Sequence, residues 1–242
     1  MYRKGWALRK KSLRNLLFFA IIATVLLALL FFSLRRNYTQ NIRPKRKSSC
    51  GETESTGDFT INLVSRQFLP LPEIDSGLSW LKEYPGERAH VLLQLCVPLD
   101  KNTKDLFERS GIYLLGYVSN NTWFASVPKD LGQKGTVLAK IRWFGPVLPK
   151  DKLSSSVVAN QLPSWAIEEN GLVTLQVSFF EDIDLERARQ VISEPGGKVI
   201  SSTKLSNKLT VSIPKESIPL LAKEDSVRWI DVIPPPPVIN EE

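Results

Sequence analysis

Val173, Leu175, Val177 and Phe179 alternate with Thr174, Gln176 and Ser178, a period of two that predicts a half-buried strand. Asp182 or Asp184 then stands ready to cap a helix whose apolar positions Leu185, Ala188, Val191 and Ile192 keep helical spacing, and Pro195-Gly196-Gly197 ends it. Lys198–Ser202 reads as a second strand, and Leu209, Val211 and Ile213 alternate in a third that Pro214 stops. Ser217–Glu224 predicts a short helix with Pro219 tolerated in its first turn, and Val227–Ile233 a fourth strand closed by four prolines. The earlier part of the chain repeats this order. Strand-like Val91, Leu93, Leu95 and Val97 lead into Asp105–Ser110, Tyr113–Val118, Thr122–Val127, Asp130–Leu138 and Lys140–Phe144.

The repetition extends to residue identities. Sliding Ser110–Pro149 by 86 positions matches Gly111 with Gly197, Asn121 with Asn207, Ser126 with Ser212, Pro128 with Pro214, Lys129 with Lys215, Arg142 with Arg228, Trp143 with Trp229 and Pro149 with Pro235. Upstream, Val91–Leu95 matches Val173–Val177 at an offset of 82. The order β-α-β-β-α-β is that of the ferredoxin-like split unit, an antiparallel sheet with two helices on one face. Each copy is close to the smallest size that sustains its own core, so pairing of the copies is expected to help both.

A different pattern occupies Leu16–Leu34, which carries no charge and only Thr24 and Ser33 as polar residues. A helix of that length spans roughly 28 Å, near the hydrocarbon thickness of a bilayer. The run ends in Phe31-Phe32-Ser33-Leu34-Arg35-Arg36, without a small-residue cleavage site, so an uncleaved signal anchor is the expectation. Six basic residues flank the run on each side, which leaves the charge rule for orientation tied.

The fold class expected is therefore α+β, a single N-terminal transmembrane helix followed by two tandem ferredoxin-like modules. The boundaries are a basic tail 1–15, the anchor 16–34, a juxtamembrane linker 35–87, module one 88–150, a linker 151–169, module two 170–234 and a Pro-rich tail 235–242. The anchor implies a place at the cell membrane with the lipid bilayer as one partner, and the short tail before it, together with a resemblance of the modules to secreted proteins, leads to the expectation that residues 35–242 lie outside the cytoplasm. Pro234–Pro237 favour polyproline II and supply no N–H donors, which makes the tail a stiff spacer.

Charge narrows the function. The net charge of +7 comes from the first 50 residues, which hold 12 of the 32 Lys and Arg and no acid, so the remainder is net acidic. The third strands lack the glycine and alternating aromatics of RNA-recognition modules, and no Gly-rich phosphate loop is present, so no nucleic acid is expected as partner. The single His90 lies within an apolar strand and reads as structural. Cys50 and Cys96 form no metal or redox spacing, and their pairing is left open. No catalytic residue, metal ligand or cofactor is assigned. At Arg142–Trp143 and Arg228–Trp229, alternation would send each tryptophan into the core and each arginine to solvent.

The strand His90–Leu95, the stretch Gly111–Val118 continuing through Val127-Pro128, the ending Ile141–Pro146, and Gly197–Ile200 with Val227–Val232 in the second copy resemble the N-terminal pro-region of subtilisin-like serine peptidases, the subtilases. That resemblance covers about 90–235 and implies a non-catalytic module that acts by protein binding, as folding template and inhibitor of a peptidase domain in cis or in trans. In that family a catalytic domain follows these modules, so the expectation is either a non-catalytic binding protein or the N-terminal fragment of a subtilisin-like peptidase. Asp75-Ser76-Gly77 matches its Asp box superficially, with no His or Ser box behind it. The partner surface implied is the polar sheet face of module two, with Gln176, Ser178, Thr210 and Ser212. An envelope scaffold that binds an unrelated protein is the alternative.

Overall fold

The computed structural model describes residues 50, 57–203 and 207–235. Module one is built from β3 (Arg88–Leu95), α2 (Lys101–Arg109), β4 (Tyr113–Ser119), β5 (Thr122–Pro128), a 3-10 turn running into the one-turn α3 (Gly135–Leu138), and β6 (Ile141–Pro146). Module two consists of β7 (Leu172–Phe179), α5 (Leu185–Ser193), β8 (Lys198–Thr203), β9 (Lys208–Pro214), α6 (Ile218–Lys223) and β10 (Val227–Val232), with α4 (Ser155–Val158) in the connection. Two four-stranded antiparallel sheets result, ordered β4-β5-β3-β6 and β10-β7-β9-β8. In each, the first and third strands of the copy lie at the centre.

Local chemistry explains these boundaries. The Asp100 carboxylate accepts from the Thr103 amide at the start of α2, and Asp184 does the same for Arg187 at the start of α5. Asn120, Asn121 and Asn207 adopt positive φ in the β4–β5 and β8–β9 turns, which accounts for the asparagine repeated between the copies. One face of each sheet is apolar. Ala89, Val91, Leu93 and Leu95 pack with Phe107, Leu131 and Val137, while Val173, Leu175, Val177 and Phe179 pack with Ala188, Val191 and Leu221.

The expected fold class needs correction. The longest described helices, including α1 (Asp75–Glu83), have nine residues and are about 14 Å long, so no described helix is long and apolar enough to cross a membrane. The described architecture is mixed α/β with three sheets, not one membrane helix followed by two modules. The Leu16–Leu34 run, the tail 1–15 and residues 236–242 lie outside the described residues, so the expected membrane placement has no described helix to rest on.

The third sheet corrects the linker. Residues 57–87 hold the hairpin β1 (Ile61–Asn62) and β2 (Gln67–Phe68), followed by α1. Gly77 seats α1 against β6, because a Cβ there would stand 2.6 Å from the Phe144 carbonyl oxygen. Polar and Pro-rich composition points to a linker, yet Phe59, Ile61, Ile74 and Leu81 are buried, while Val64, Leu69 and Leu71 stay exposed.

Candidate functional site

The faces of the two sheets turned away from the helices differ. On module one this face carries His90, Leu92, Gln94, Thr122 and Ser126, all buried. The hairpin covers part of it. Gln94 donates to the Phe59 carbonyl at 2.9 Å, and the Arg142 guanidinium donates to the Pro70 carbonyl at 3.0 Å and to Gln94 Oε1 at 2.9 Å. The Phe59 ring lies 4.3 Å from the same guanidinium. Arg66 holds both oxygens of Asp151 at 2.8 and 2.7 Å, joining the hairpin to the connection between modules. Burial works to raise the Asp151 pKa, but Arg66, Ser65 and the Leu148 amide outweigh it and hold the carboxyl below its usual value.

Module two covers the rest. Phe180, fully buried, stacks on His90 with centroids 4.2 Å apart and planes 4° from parallel, and meets Phe124 at 5.6 Å. The Asn207 amide fixes the loop carrying Phe180 by donating to the carbonyls of Phe180, Glu181 and Ile183. His90 Nε2 meets Asp182 at 2.9 Å, and Nδ1 meets Asp225 at 2.5 Å. The His90 amide also donates to Asp225, at 3.1 Å.

Burial is the largest influence on His90 and opposes its charge, yet the hydrogen bonds and charges of Asp182 and Asp225 prevail and raise its pKa. Asp182 is held below its usual value: burial pushes upward, and His90 followed by the Ser126 hydroxyl overcomes it. Lys152, buried nearby, donates to the Glu224 carbonyl at 2.5 Å and is pushed down to about 8, burial outweighing the Asp225, Glu224 and Asp151 carboxylates. Tyr84 is raised, first by burial and then by the charge of Asp225. Together they line a cleft of about 580 Å³ between the modules.

Ser126 stands opposite His90 on β5, so Ser, His and Asp meet here. Both His90 nitrogens are engaged by carboxylates, however, and Ser126 Oγ accepts from Arg88 at 2.9 Å. In this arrangement both ring nitrogens face carboxylates rather than Ser126, and the cluster joins His90 of module one to Asp182 and Asp225 of module two, a clasp between them.

A pH dependence follows. A neutral imidazole has one N–H to offer two carboxylates, so one contact turns repulsive when His90 loses its proton. The raised His90 pKa contributes stability that is full below about pH 6.5 and lost as pH rises through the folded value. The lowered Asp182 contributes stability present above about pH 3.8 and lost as pH falls through its folded value. Denaturant midpoints should therefore be higher between about pH 5 and 6 than at pH 8, and His90→Gln should flatten that slope. An unchanged slope in the variant would remove His90 from the account.

The four predicted partner residues lie on the corresponding face of module two, where Gln176 and Thr210 face one another across β7 and β9. These two are half-buried, whereas Ser178 and Ser212 are buried. Ser212 is bonded to Glu168, which also accepts from Thr174 Oγ1 at 2.8 Å.

The strand register revises the repeat. Gln94 lies opposite Thr122 and Trp143, and Ser178 opposite Lys208 and Trp229, so β3 and β7 correspond at an offset of 84, not 82. Gln176 thus matches Leu92, and Thr210 matches Phe124. A bulge before each tryptophan also breaks the expected alternation: Arg142 is buried and Trp143, on the face away from the core, meets Phe68 edge-on at 5.7 Å.

The His90–Asp182–Asp225 cluster was not legible beforehand, because its members are 92 and 135 positions apart. Among the described residues, no group of three or more His, Cys, Asp and Glu side chains is arranged to hold a metal ion.

Residues 56–148 match the model of a domain of unknown function (DUF8729). No curated protein and no solved structure matches the chain. The matched span takes in the hairpin, α1 and module one together, the same residues that pack around Phe59, Gln94 and Arg142.

Proposed function

We propose that this chain is a non-catalytic protein-binding molecule of the subtilase pro-region kind, with the sheet face of module two as its partner surface. The observation that carries the reading is the divergence between equivalent faces. Module one has Leu92, fully buried, and Phe124, which meets Phe180, at two positions of this face, whereas module two places Gln176 and Thr210 there, half-buried and polar. Amide and hydroxyl groups tolerate water when the surface is free and form directional hydrogen bonds when it is covered. The clasp supports the non-catalytic part, since it occupies the single histidine at both nitrogens.

The test is a titration of the full chain into a subtilisin-like serine peptidase. Inhibition is expected, and Gln176→Lys and Thr210→Lys should each weaken it roughly tenfold or more by placing a desolvated cation in the interface. Ser212 is unsuited to this test because it is buried against Glu168. Absence of inhibition, or casein hydrolysis by the chain itself that His90→Gln abolishes, would overturn the proposal.

A further inference from the structure

A second cleft, of about 690 Å³, lies between the modules and is lined by Phe124, Ser178, Glu181, Lys208, Arg228 and Trp229, with Asn62–Val64 of the hairpin at its edge. Arg228 is the repeat counterpart of Arg142, and both sit in a bulge beside a tryptophan. The two arginines differ in what they hold. Arg142 has a phenylalanine ring on its guanidinium and a main-chain carbonyl from a crossing segment, Pro70, as acceptor. Arg228 has the ring, Phe124 at 5.5 Å, and reaches over Gly116, where a Cβ would lie 3.3 Å from Nη2. Among the described residues it pairs with no carboxylate, and neither does Lys208.

We propose that this cleft binds an acidic segment of a partner polypeptide, which supplies to Arg228 and Lys208 the acceptors that the chain's own residues 59–70 supply on module one. The proposal rests on the protein-binding reading above and names the chemistry of the segment bound. Charge selects it. Asp151 at the cleft wall is already held by Arg66, so Arg228 and Lys208 outnumber the remaining acid, Glu181. A guanidinium takes a carboxylate through two parallel hydrogen bonds, and Trp229 and Phe124 offer apolar surface to the flanking side chains. The volume suits a few residues of peptide. The cleft is also continuous with an existing interface, because the hairpin that edges it is the segment seated on module one.

The experiment is selection of random twelve-residue peptides displayed on phage against the full chain, followed by binding measurements with labelled synthetic versions of the winners. Enrichment of Asp or Glu is expected, with roughly tenfold weaker binding to Arg228→Gln, weaker binding to Lys208→Gln, and loss of affinity as salt rises. Changing the peptide Glu to Gln should weaken binding to the wild type but add little in Arg228→Gln. The Lys208→Gln variant keeps the test valid should Arg228→Gln fail to fold. Peptides without acidic enrichment, or acidic peptides that bind both variants normally, would overturn the inference. If such peptides instead respond to Gln176→Lys, the sheet-face reading stands and this one fails; if they respond to none of the three, both fail.

Discussion

Replacing Phe180 with alanine is expected to lower the stability of the chain by about 3–5 kcal/mol, the range for removing a fully buried phenylalanine. Phe180 belongs to neither module's own core cluster, yet it has no exposed surface. Its ring fills the space between His90 and Phe124, so its loss leaves a cavity at the junction and removes the surface on which the imidazole stacks. Denaturant unfolding followed by tryptophan fluorescence should show an earlier transition that splits in two, because each module retains its apolar face and helices while the coupling is lost. Phe180→Leu, which keeps much of the volume, should cost less. A single transition shifted by under about 1 kcal/mol would mean that the clasp and the hairpin couple the modules without the ring.

Reducing the Cys50–Cys96 disulfide should be nearly as costly. The bond spans a sequence separation of 46 with Cα atoms 5.3 Å apart. Chain-entropy arithmetic for a loop of that size gives about 4 kcal/mol at room temperature. Cys96 directly follows β3, so the bond ties the chain ahead of Phe59 to the strand that Gln94 and Phe59 join. Loss of the tether should therefore release Phe59 from Arg142 first. The expected results are a lower denaturant midpoint in dithiothreitol and in Cys96→Ser, and faster hydrogen exchange in residues 57–70 than in β7 or β9. Equal midpoints with and without reductant would refute the role given to the bond. A paired cysteine also fits an oxidising compartment.

Much of each module was legible in the sequence because its cause is local. Alternation at Val173–Phe179 became β7, Asp184 capped α5, and the repeated Asn121 and Asn207 took the positive φ that their turns require. Periodicity is a property of neighbouring residues, and it reports which face of a strand is apolar. It does not report what that face meets. Phe124 reads as an ordinary member of an apolar strand, and only the docking of Phe180 shows that it faces the second module.

The remaining differences share that origin. Simple alternation sends Arg142 to solvent, whereas a bulge and the crossing segment at Phe59 and Pro70 bury it. Residues 57–87 read as linker from their polar composition and prolines, with a strand-like patch at Thr60–Val64 and an apolar turn at Leu78–Leu81; β1 and α1 form there, and the pairing with β2 and the contact of Phe59 with Gln94 and Arg142 are what the sequence does not show. Residue similarity aligns the first strands at an offset of 82, whereas hydrogen-bond register sets it at 84. By itself the sequence determined the internal repeat, the alternation behind its strands and the concentration of basic charge before residue 51, and it offered Asp184 as one of two caps for α5. The tertiary structure alone decided the disulfide, the hairpin cover, the Asp182–His90–Asp225 cluster and the cleft beside Arg228. Each of these depends on groups brought together from distant positions, and contacts of that kind leave no period in the chain.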